Sequence, residues 1–438
     1  MNSITEKTVS ALWLSGRLSH FSDDSGHSIQ VICPGRGSTR GGCDFQDVVI
    51  KIDGEKTVGD VEVHLTSDLW QRHGHHRDAA YNGVILHVSM WQRGSLPVRL
   101  QDGRILPTVI LGQYIKIGRN LLQSISGSPH QRCPSLQHAG RHMDGIIVRA
   151  GLARFEQKSA AFAQAFKEDD PRQVLYRGVC RALGYSRNVK PFETLAGRVT
   201  ADMIRKNTIG SLPAKHVLLM GAAGLQPAIK GELSYIAEHS QIAGARAEWR
   251  HILQQVRPMN ILDWSFAFIR PSNHPVRRIA GLCHLLHRHE EGGLLPGLIA
   301  LVDAAQPSKA AYVLENAFHV ADPCVPGYAD YGDGRFDTAA LIGPGRAREI
   351  VVNVVLPFIQ AYDASIKSGQ AGCKAGLIYS SYPSLQQNEI TRYMGGLLGN
   401  QAYGACRQQG LLHIYHTWCR TRECAACPVV MSRKTTPV

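Results

Sequence analysis

Residues 57–67, "TVGDVEVHLTS", limit the possible folds of this chain more than any other segment, because polar and apolar residues alternate strictly from Asp60 to Thr66. Successive side chains of a β-strand point to opposite faces, so Val61, Val63 and Leu65 share one face. The other face carries the polar residues Asp60, Glu62, His64 and Thr66. The pattern predicts a strand with one face in a core and the other available for polar chemistry.

The flanking segments predict an α/β module around this strand. Residues 5–18 have apolar residues at helical spacing, and "SIQVIC" and "DFQDVVIKIDGEK" read as two strands, the second closed by an Asp-Gly turn. A connector with a short helix leads to "VILHVSMW", an apolar strand, and "RLQDGRILPTVILGQYI" adds a strand or a hairpin. The predicted order is helix, three strands, helical connector, strand, in a mixed sheet flanked by helices.

After about residue 115 the apolar residues recur mainly at helical spacing, between Pro, Gly and Asn. We therefore predict an α/β module followed by a mainly α-helical region with a Cys-rich metal site at its C-terminal end. The predicted boundaries are 1–115 for the module, 116–303 for a helical region, 304–345 for a loop-rich segment, and 346–438 for C-terminal helices.

Charge and hydropathy indicate the partners and the compartment. The net charge of +13 favours polyanions, nucleic acid first and anionic membrane surfaces second. No run of about 18 apolar residues and no signal-peptide pattern is apparent, so we expect a cytoplasmic protein without a membrane span. The sequence points to no particular protein partner.

An acidic site is predicted where two strands meet. Asp44 opens one strand, and Glu62 lies in the next with His64 on the same face. Two converging carboxylates repel each other unless a cation lies between them, and Mg²⁺ or Mn²⁺ is the expected occupant. Asp44 and Glu62 are thus candidate ligands, and His64 is a candidate base or ligand.

The connector adds further candidates. His73 is a possible metal ligand, and His75 and Asp78 are possible contacts to the metal ligands or to phosphate. The alternative is that these polar residues form a solvated face. Arg36 and Arg40, in a Gly-rich loop, and Arg270 and Arg277, in "RPSNHPVRR", are candidate nucleic-acid contacts, with a plain loop and a helix entry as the alternatives.

Four of the eleven cysteines cluster near the C-terminus. Cys406, Cys419, Cys424 and Cys427 have a spacing that suits a structural Zn²⁺ site, and "CAACP" suits a 4Fe–4S cluster equally well. An unliganded, reduced group is the alternative, and Cys-x2-Cys as a redox pair is another. His413 and His416 are possible substitutes for Cys406.

The motifs around Asp44 and Glu62 resemble a known superfamily. "CDF" resembles the "PD" element, and "EVH" the "ExK" element, of the PD-(D/E)XK, or restriction-endonuclease-like, superfamily. Two positions depart from that pattern, because Cys43 replaces Pro and His64 replaces the Lys that positions or activates water. The resemblance implies a metal-dependent nuclease at Asp44, Glu62 and His64, or a descendant that binds without cleaving.

A second resemblance covers most of the chain. The segment from "PGRGSTRGGCDF" to "NGVILHV", together with "YRGVCRALGYSRNVKPFETLA", "RPSNHPVRRIAGL" and the Cys-rich end, resembles the bacterial family called domain of unknown function 2851. That resemblance implies a family and not a reaction. The expected function is a metal-dependent nuclease; the alternatives are a non-catalytic nucleic-acid-binding or scaffold protein, and a metal hydrolase of another phosphoester.

Overall fold

The computed structural model describes residues 4–15, 18–38, 42–95, 97–115, 133, 143–225, 256–266, 269–321, 340–367, 370–399 and 403–431. The chain divides into two compact units. The sheet unit comprises residues 1–147, 388–402 and 411–438, and the helical unit comprises residues 148–387 and 403–410.

A seven-stranded mixed sheet forms the centre of the sheet unit. Its strands are β1 (His20–Ser22), β2 (Ser28–Cys33), β3 (Arg36–Gly37), β4 (Phe45–Ile52), β5 (Glu55–Thr66), β6 (Val84–Trp91) and β9 (Thr108–Ile110), while β7 (Val98–Arg99) and β8 (Ile105–Leu106) form a separate hairpin. The order is β1-β2-β4-β5-β6-β9, with β3 paired to β4. The pairs up to β4–β5 are antiparallel, and β5–β6 and β6–β9 are parallel. The predicted mixed sheet is confirmed.

One face of the sheet packs against the N-terminal helix α1 (Glu6–Leu14). Val9, Leu12 and Trp13 of α1 share a buried cluster with Val61 and Val63, as the alternation in β5 predicts. The other face of β5 therefore points toward the connector between β5 and β6, which contains helix α2 (Leu69–Arg72) and two 3-10 turns, His75–Arg77 and Ala79–Tyr81.

Trp70 fixes this connector over the sheet. Its side chain is fully buried beside Val84 and Leu106, and its indole N–H donates to the Arg99 carbonyl at 3.0 Å. Gly74 follows α2 with φ of +79°, a left-handed conformation that glycine adopts without steric cost. The turn at Gly74 directs the following histidine back toward the sheet.

The helical unit confirms the mainly α-helical prediction. Its helices in chain order, up to the first short hairpin, are α3 (Met143–Ala165), α4 (Pro171–Leu183), α5 (Val189–Arg198), α6 (Ala201–Asn207), α7 (Leu212–Ala222), α8 (Pro275–Arg288), α9 (Leu294–Ala304) and α10 (Pro307–Phe318). Strands β10 (Val320–Ala321) and β11 (Ala340–Ile342) form that hairpin. Then follow α11 (Pro344–Ile350), a π-helix (Val351–Val355), α12 (Leu356–Ile366) and α13 (Gln370–Ser381).

The continuous helix Pro344–Ile366 is long and apolar enough, by length and composition alone, to cross a membrane. Within the structure 61% of its apolar window is buried, as in the core helix of a soluble protein, so it is weak evidence for a span. The sequence analysis found no such segment, because Arg346, Arg348 and Glu349 interrupt the apolar run.

The last part of the chain returns to the sheet unit. Helix α14 (Glu389–Leu398) and the short helix α16 (Pro428–Met431) lie in that unit. Helix α15 (Ala405–Ile414) begins in the helical unit and enters the sheet unit at Leu411, and the π-helix Tyr415–Cys419 continues it. The units thus differ from the four consecutive stretches predicted. The segment 304–345, predicted as loop-rich, contains α10 and both strands of the small hairpin, and its residues 322–339 lie outside the described part.

Candidate metal centre

Asp44 and Glu62 lie opposite each other, because β4 and β5 pair antiparallel with Phe45 facing Val61. The backbone N–H of Asp44 donates to Oε2 of Glu62 at 3.0 Å, and the N–H of Val63 donates to Oδ2 of Asp44 at 2.9 Å. The two residues therefore face each other across adjacent strands, and the sharing of one cation by their carboxylates stays a prediction. Each carboxylate has one oxygen held by the backbone of the neighbouring strand.

Burial and mutual repulsion act on both acids. Glu62 is 6% exposed, and burial, followed by the charge of Asp44, raises its pKa to about 8. Burial also raises the pKa of Asp44, while the Val63 N–H opposes that shift. A buried carboxylate with such a pKa is stabilised in its ionised form by a nearby cation.

The parallel pairing of β5 and β6 brings two histidines together. Glu62 lies beside His87 in the register, and Nδ1 of His64 is 3.0 Å from Nε2 of His87. On its other side, Nδ1 of His87 is 3.4 Å from Oγ1 of Thr108 in β9. If Nδ1 of His64 carries the proton and donates it to His87, the Nε2 lone pair of His64 is available to a metal.

The connector supplies two more imidazoles. The possible ligand atoms of His64, His73 and His75 all lie within 4.8 Å of one another. Nε2 of His75 is 3.3 Å from Oε1 of Glu62, and Nε2 of His64 is 3.7 Å from the same oxygen. Three imidazole nitrogens therefore converge, with His73 at the exposed side and His64 and His75 buried. Oε1 of Glu62 lies beside the two buried rings.

The buried histidines His64, His75 and His87 are held neutral, and a metal ligand must be neutral imidazole. Burial, followed by the charges of neighbouring histidines, lowers the pKa of His64 to about 2 and that of His75 to about 4. Burial also lowers the pKa of His87 to about 3. Nε2 of His75 is buried and makes no hydrogen bond to any described part of the chain. A buried nitrogen lone pair of this kind fits a metal ion.

The donor set determines which metals fit. Imidazole suits Zn²⁺, Mn²⁺ and Fe²⁺, whereas Mg²⁺ prefers oxygen ligands and retains several waters. Because the three mutually close ligand atoms are imidazole nitrogens and Glu62 adds one oxygen beside two of them, the group formed by Glu62, His64, His73 and His75 fits a transition metal better than the predicted Mg²⁺. We call this group the His/Glu site.

The other predicted residues of this region lie close by with different roles. Asp78 accepts the N–H of Ala80 at 2.9 Å, which caps the second 3-10 turn, and its charge acts on His75. The ring of Tyr81 lies 4.0 Å from that of His75. The roles that sequence reasoning missed are those of His87 and Thr108, and the polar His87 in an otherwise apolar strand was the available signal.

The predicted phosphate contacts have diverse environments. The guanidinium of Arg36 contacts Asp47 and Glu389, each at 3.1 Å, and its side chain is 13% exposed. Arg277 is buried and donates to the Ala340 carbonyl at 2.9 Å. Arg270 is exposed, and Arg40 lies outside the described residues. Arg36 and Arg277 therefore have structural partners inside their own units.

The predicted four-cysteine group is divided between the units. Cys419, Cys424 and Cys427 belong to the sheet unit, and the side chains of Cys419 and Cys427 are hydrogen-bonded to each other. Cys406 belongs to the helical unit, where its Sγ lies 3.8 Å from the Val148 carbonyl oxygen. Its backbone packs tightly against Gly151 of α3.

Comparison with known families decides the assignment of the chain. Residues 6–387 match the family described as Protein of unknown function (DUF2851). The chain belongs to this family. The match confirms the second resemblance drawn from the sequence, and it ends before the three C-terminal cysteines, so the Cys-rich end lies outside it. Neither the curated proteins nor the solved structures include a significant match to the chain.

Proposed function

We propose that this DUF2851 protein is a metal-dependent phosphodiesterase that acts on nucleic acid, with its metal at the His/Glu site. The observation that carries the proposal is the convergence of His64, His73 and His75 within 4.8 Å, beside the buried carboxylate of Glu62. A solvated polar face does not require neutral, buried imidazoles that share one carboxylate oxygen.

Each residue has a definite task in this proposal. A bound divalent ion polarises a phosphoryl oxygen and lowers the pKa of water. Glu62 supplies negative charge through Oε1, while the Asp44 N–H fixes Oε2. His87 orients the His64 ring through the contact between Nε2 and Nδ1. The low pKa of His64 supports the role of a ligand over that of a general base.

The nuclease core of the restriction-endonuclease-like superfamily is part of the proposal. The order of helix, antiparallel strands, helical connector and parallel strand supports it, as does the meeting of Asp44 with Glu62. His64 occupies the position of the superfamily's Lys. The site therefore uses imidazole ligation where that superfamily uses a lysine beside an oxygen-bound metal.

The charge of the chain supports a polyanionic substrate. The net charge is +13, and a basic protein gains affinity for nucleic acid by releasing counterions from the phosphates. Arg270, which is exposed, remains a proposed contact. A cytoplasmic location is consistent with a nucleic-acid substrate and stays a prediction.

A non-catalytic nucleic-acid-binding protein is the second candidate. It is favoured by one observation, namely that one oxygen of each acid already accepts a backbone N–H from the neighbouring strand. In that case the acids serve the strand pairing, and the histidines have no substrate to act on.

The first test compares metal content and cleavage in matched variants. We expect the full-length protein to bind about one equivalent of Zn²⁺ or Mn²⁺ and to cleave labelled DNA or RNA with that metal. Glu62→Gln, His64→Ala and His75→Ala should each lower metal occupancy and cleavage at least about tenfold, since each removes a converging ligand. His76→Ala, on the same connector but outside the group, should retain both.

The outcomes separate the candidates. Cleavage and metal content that are unchanged in Glu62→Gln and His75→Ala would remove the His/Glu site from the mechanism. Metal-dependent binding of nucleic acid without cleavage, under every divalent ion tried, would favour the non-catalytic candidate. Hydrolysis of a small phosphodiester without any cleavage of nucleic acid would indicate that the substrate is another phosphoester.

A further inference from the structure

The three C-terminal cysteines of the sheet unit are brought together by a compact turn. The chain leaves the π-helix at Cys419, and Arg422 adopts a left-handed φ of 56° that reverses its direction. The N–H of Arg422 donates to the Cys419 carbonyl at 3.2 Å, and the N–H of Cys427 donates to the Cys424 carbonyl at 3.1 Å. These bonds fold the Cys-x4-Cys-x2-Cys segment into a turn in which the side chains of Cys419 and Cys427 are hydrogen-bonded to each other.

Cys133 joins the same region from a distant part of the chain. It interacts electrostatically with Cys419 and Cys424. Its backbone N–H donates to the Leu397 carbonyl at 3.1 Å, which attaches it to the C-terminal end of α14. The helix α14 that it contacts lies against the π-helix that ends at Cys419, since the rings of Tyr393 and Tyr415 are 6.0 Å apart between centroids. All four residues belong to the sheet unit, and none of them forms a disulfide.

Hydrogen-bond donors and a cation lie beside two of the thiols, those of Cys427 and Cys419. The backbone N–H groups of Val429 and Val430 donate to the side chain of Cys427. The guanidinium of Arg422 contacts Sγ of Cys33 and interacts with Cys419. Backbone N–H donors and a nearby cation stabilise thiolates, which are the form in which cysteine binds metal.

The sulfur positions bear on the kind of metal. A tetrahedral zinc ion with Zn–S bonds of about 2.3 Å holds its sulfurs about 3.8 Å apart. Among the described residues, only His64, His73 and His75 form a group whose ligand atoms all lie within 4.8 Å of one another. The four sulfurs of the cysteine group therefore do not all lie within that distance of one another. Thiolates on separate irons of a cluster lie farther apart, and Cys-x4-Cys-x2-Cys with a distant fourth cysteine is an iron–sulfur spacing.

We propose that Cys133, Cys419, Cys424 and Cys427 form a four-thiolate metal centre, with Cys133 in the place that the sequence assigned to Cys406. The ion or cluster displaces the thiol protons on binding and changes no other bond of the chain. Because it links residue 133 to the C-terminal turn, the centre fastens two distant segments within the sheet unit. The spacing favours an iron–sulfur cluster over zinc. The proposal is independent of the His/Glu site.

The test uses the full-length protein, purified without oxygen. An iron–sulfur centre should give bound iron, acid-labile sulfide and a broad absorbance at about 400 nm. A zinc centre should give about one zinc per chain and a colourless protein. Cys133→Ser and Cys424→Ser should lower that metal at least about fivefold, since each removes one of four ligands. Cys406→Ser and Cys373→Ser should retain it, because neither thiol belongs to the group.

A second measurement covers variants that fail to fold. In the wild type, a chelator that strips the metal should make four additional thiols reactive, and the circular dichroism spectrum reports whether the fold persists. Two results would overturn the proposal. One is a wild-type protein that binds neither iron nor zinc at these thiols, even after reconstitution with iron and sulfide or with zinc. The other is loss of the metal in Cys406→Ser with retention in Cys133→Ser.

Discussion

Lys158 is a residue whose burial makes the free energy of unfolding depend on pH. Its ammonium group is buried in the helical unit, where it donates to the side-chain oxygens of Asn353 and Gln409. Burial, followed by the charge of Arg154, lowers its pKa to about 7. In the unfolded chain this lysine has the ordinary pKa of about 10.4. Between pH 7 and that value the unfolded state therefore binds more protons than the folded state.

Lys158→Met tests this cost. Because the unfolded wild type holds the extra proton, its free energy of unfolding should rise with pH between about 7 and 10, relative to the variant, by up to about 1.4 kcal/mol per pH unit. The measurement is urea unfolding of both proteins at several pH values. A difference between the two proteins that stays constant over this range would contradict the lowered pKa.

At the scale of the element, β5 determines where the site lies. Its register is antiparallel to β4 and parallel to β6, with an irregularity between Asp60 and Val61. Gly59 precedes that irregularity, and a Cβ there would lie 2.3 Å from Cγ2 of Ile85 and 2.9 Å from the Gly83 carbonyl oxygen. Only glycine allows the strands to approach this closely.

Gly59→Ala should therefore weaken the β5–β6 pairing. We expect a loss of about 1–3 kcal/mol in the free energy of unfolding, because the added methyl group forces the strands apart. Gly197→Ala is the control, since nothing lies within 4 Å of that position on α5 and alanine favours a helix by up to about 1 kcal/mol. Equal stability of the two variants, measured by chemical unfolding, would refute the close approach.

At the scale of the whole molecule, the sheet unit is built from distant parts of the chain. Asp47, at an irregularity of β4 with φ of 54°, accepts hydrogen bonds from the Tyr415 hydroxyl and the Arg36 guanidinium. Nε of Arg420 lies 2.7 Å from Oδ1 of Asp47. This network links the central sheet to the π-helix Tyr415–Cys419 and the residue after it, which explains why the unit is discontinuous in sequence.

A double-mutant cycle measures that link. Asp47→Asn and Tyr415→Phe should each destabilise the protein, and their effects should be non-additive by about 1–3 kcal/mol because they share one hydrogen bond. Asp202→Asn, an exposed residue of the helical unit that shares no partner with Tyr415, should add to Tyr415→Phe within about 0.5 kcal/mol. Full additivity of the first pair would mean that the network carries no coupling.

The local pattern of the sequence determined the strands of the sheet and the polar face of β5, which carries Glu62 and His64 of the His/Glu site. Alternation in β5 assigned Val61 and Val63 to the core and Glu62 and His64 to the polar face, because side-chain direction in a strand depends only on position. The pairing of Asp44 with Glu62 followed from two strands joined by a tight turn. Helices α3, α4 and α8 were equally readable from their apolar spacing, whereas α10 lies in the segment predicted as loop-rich.

Only the tertiary structure decided which distant residues meet. The contact of His87 with His64 depends on the parallel register of β5 and β6, and the position of His75 depends on the turn at Gly74. The hydrogen bond from Cys133 to Leu397 at the end of α14 depends on packing that no local spacing encodes. The reason is physical: periodicity is a property of neighbouring residues, whereas the distance between ligands is set by strand register and by the return of the chain.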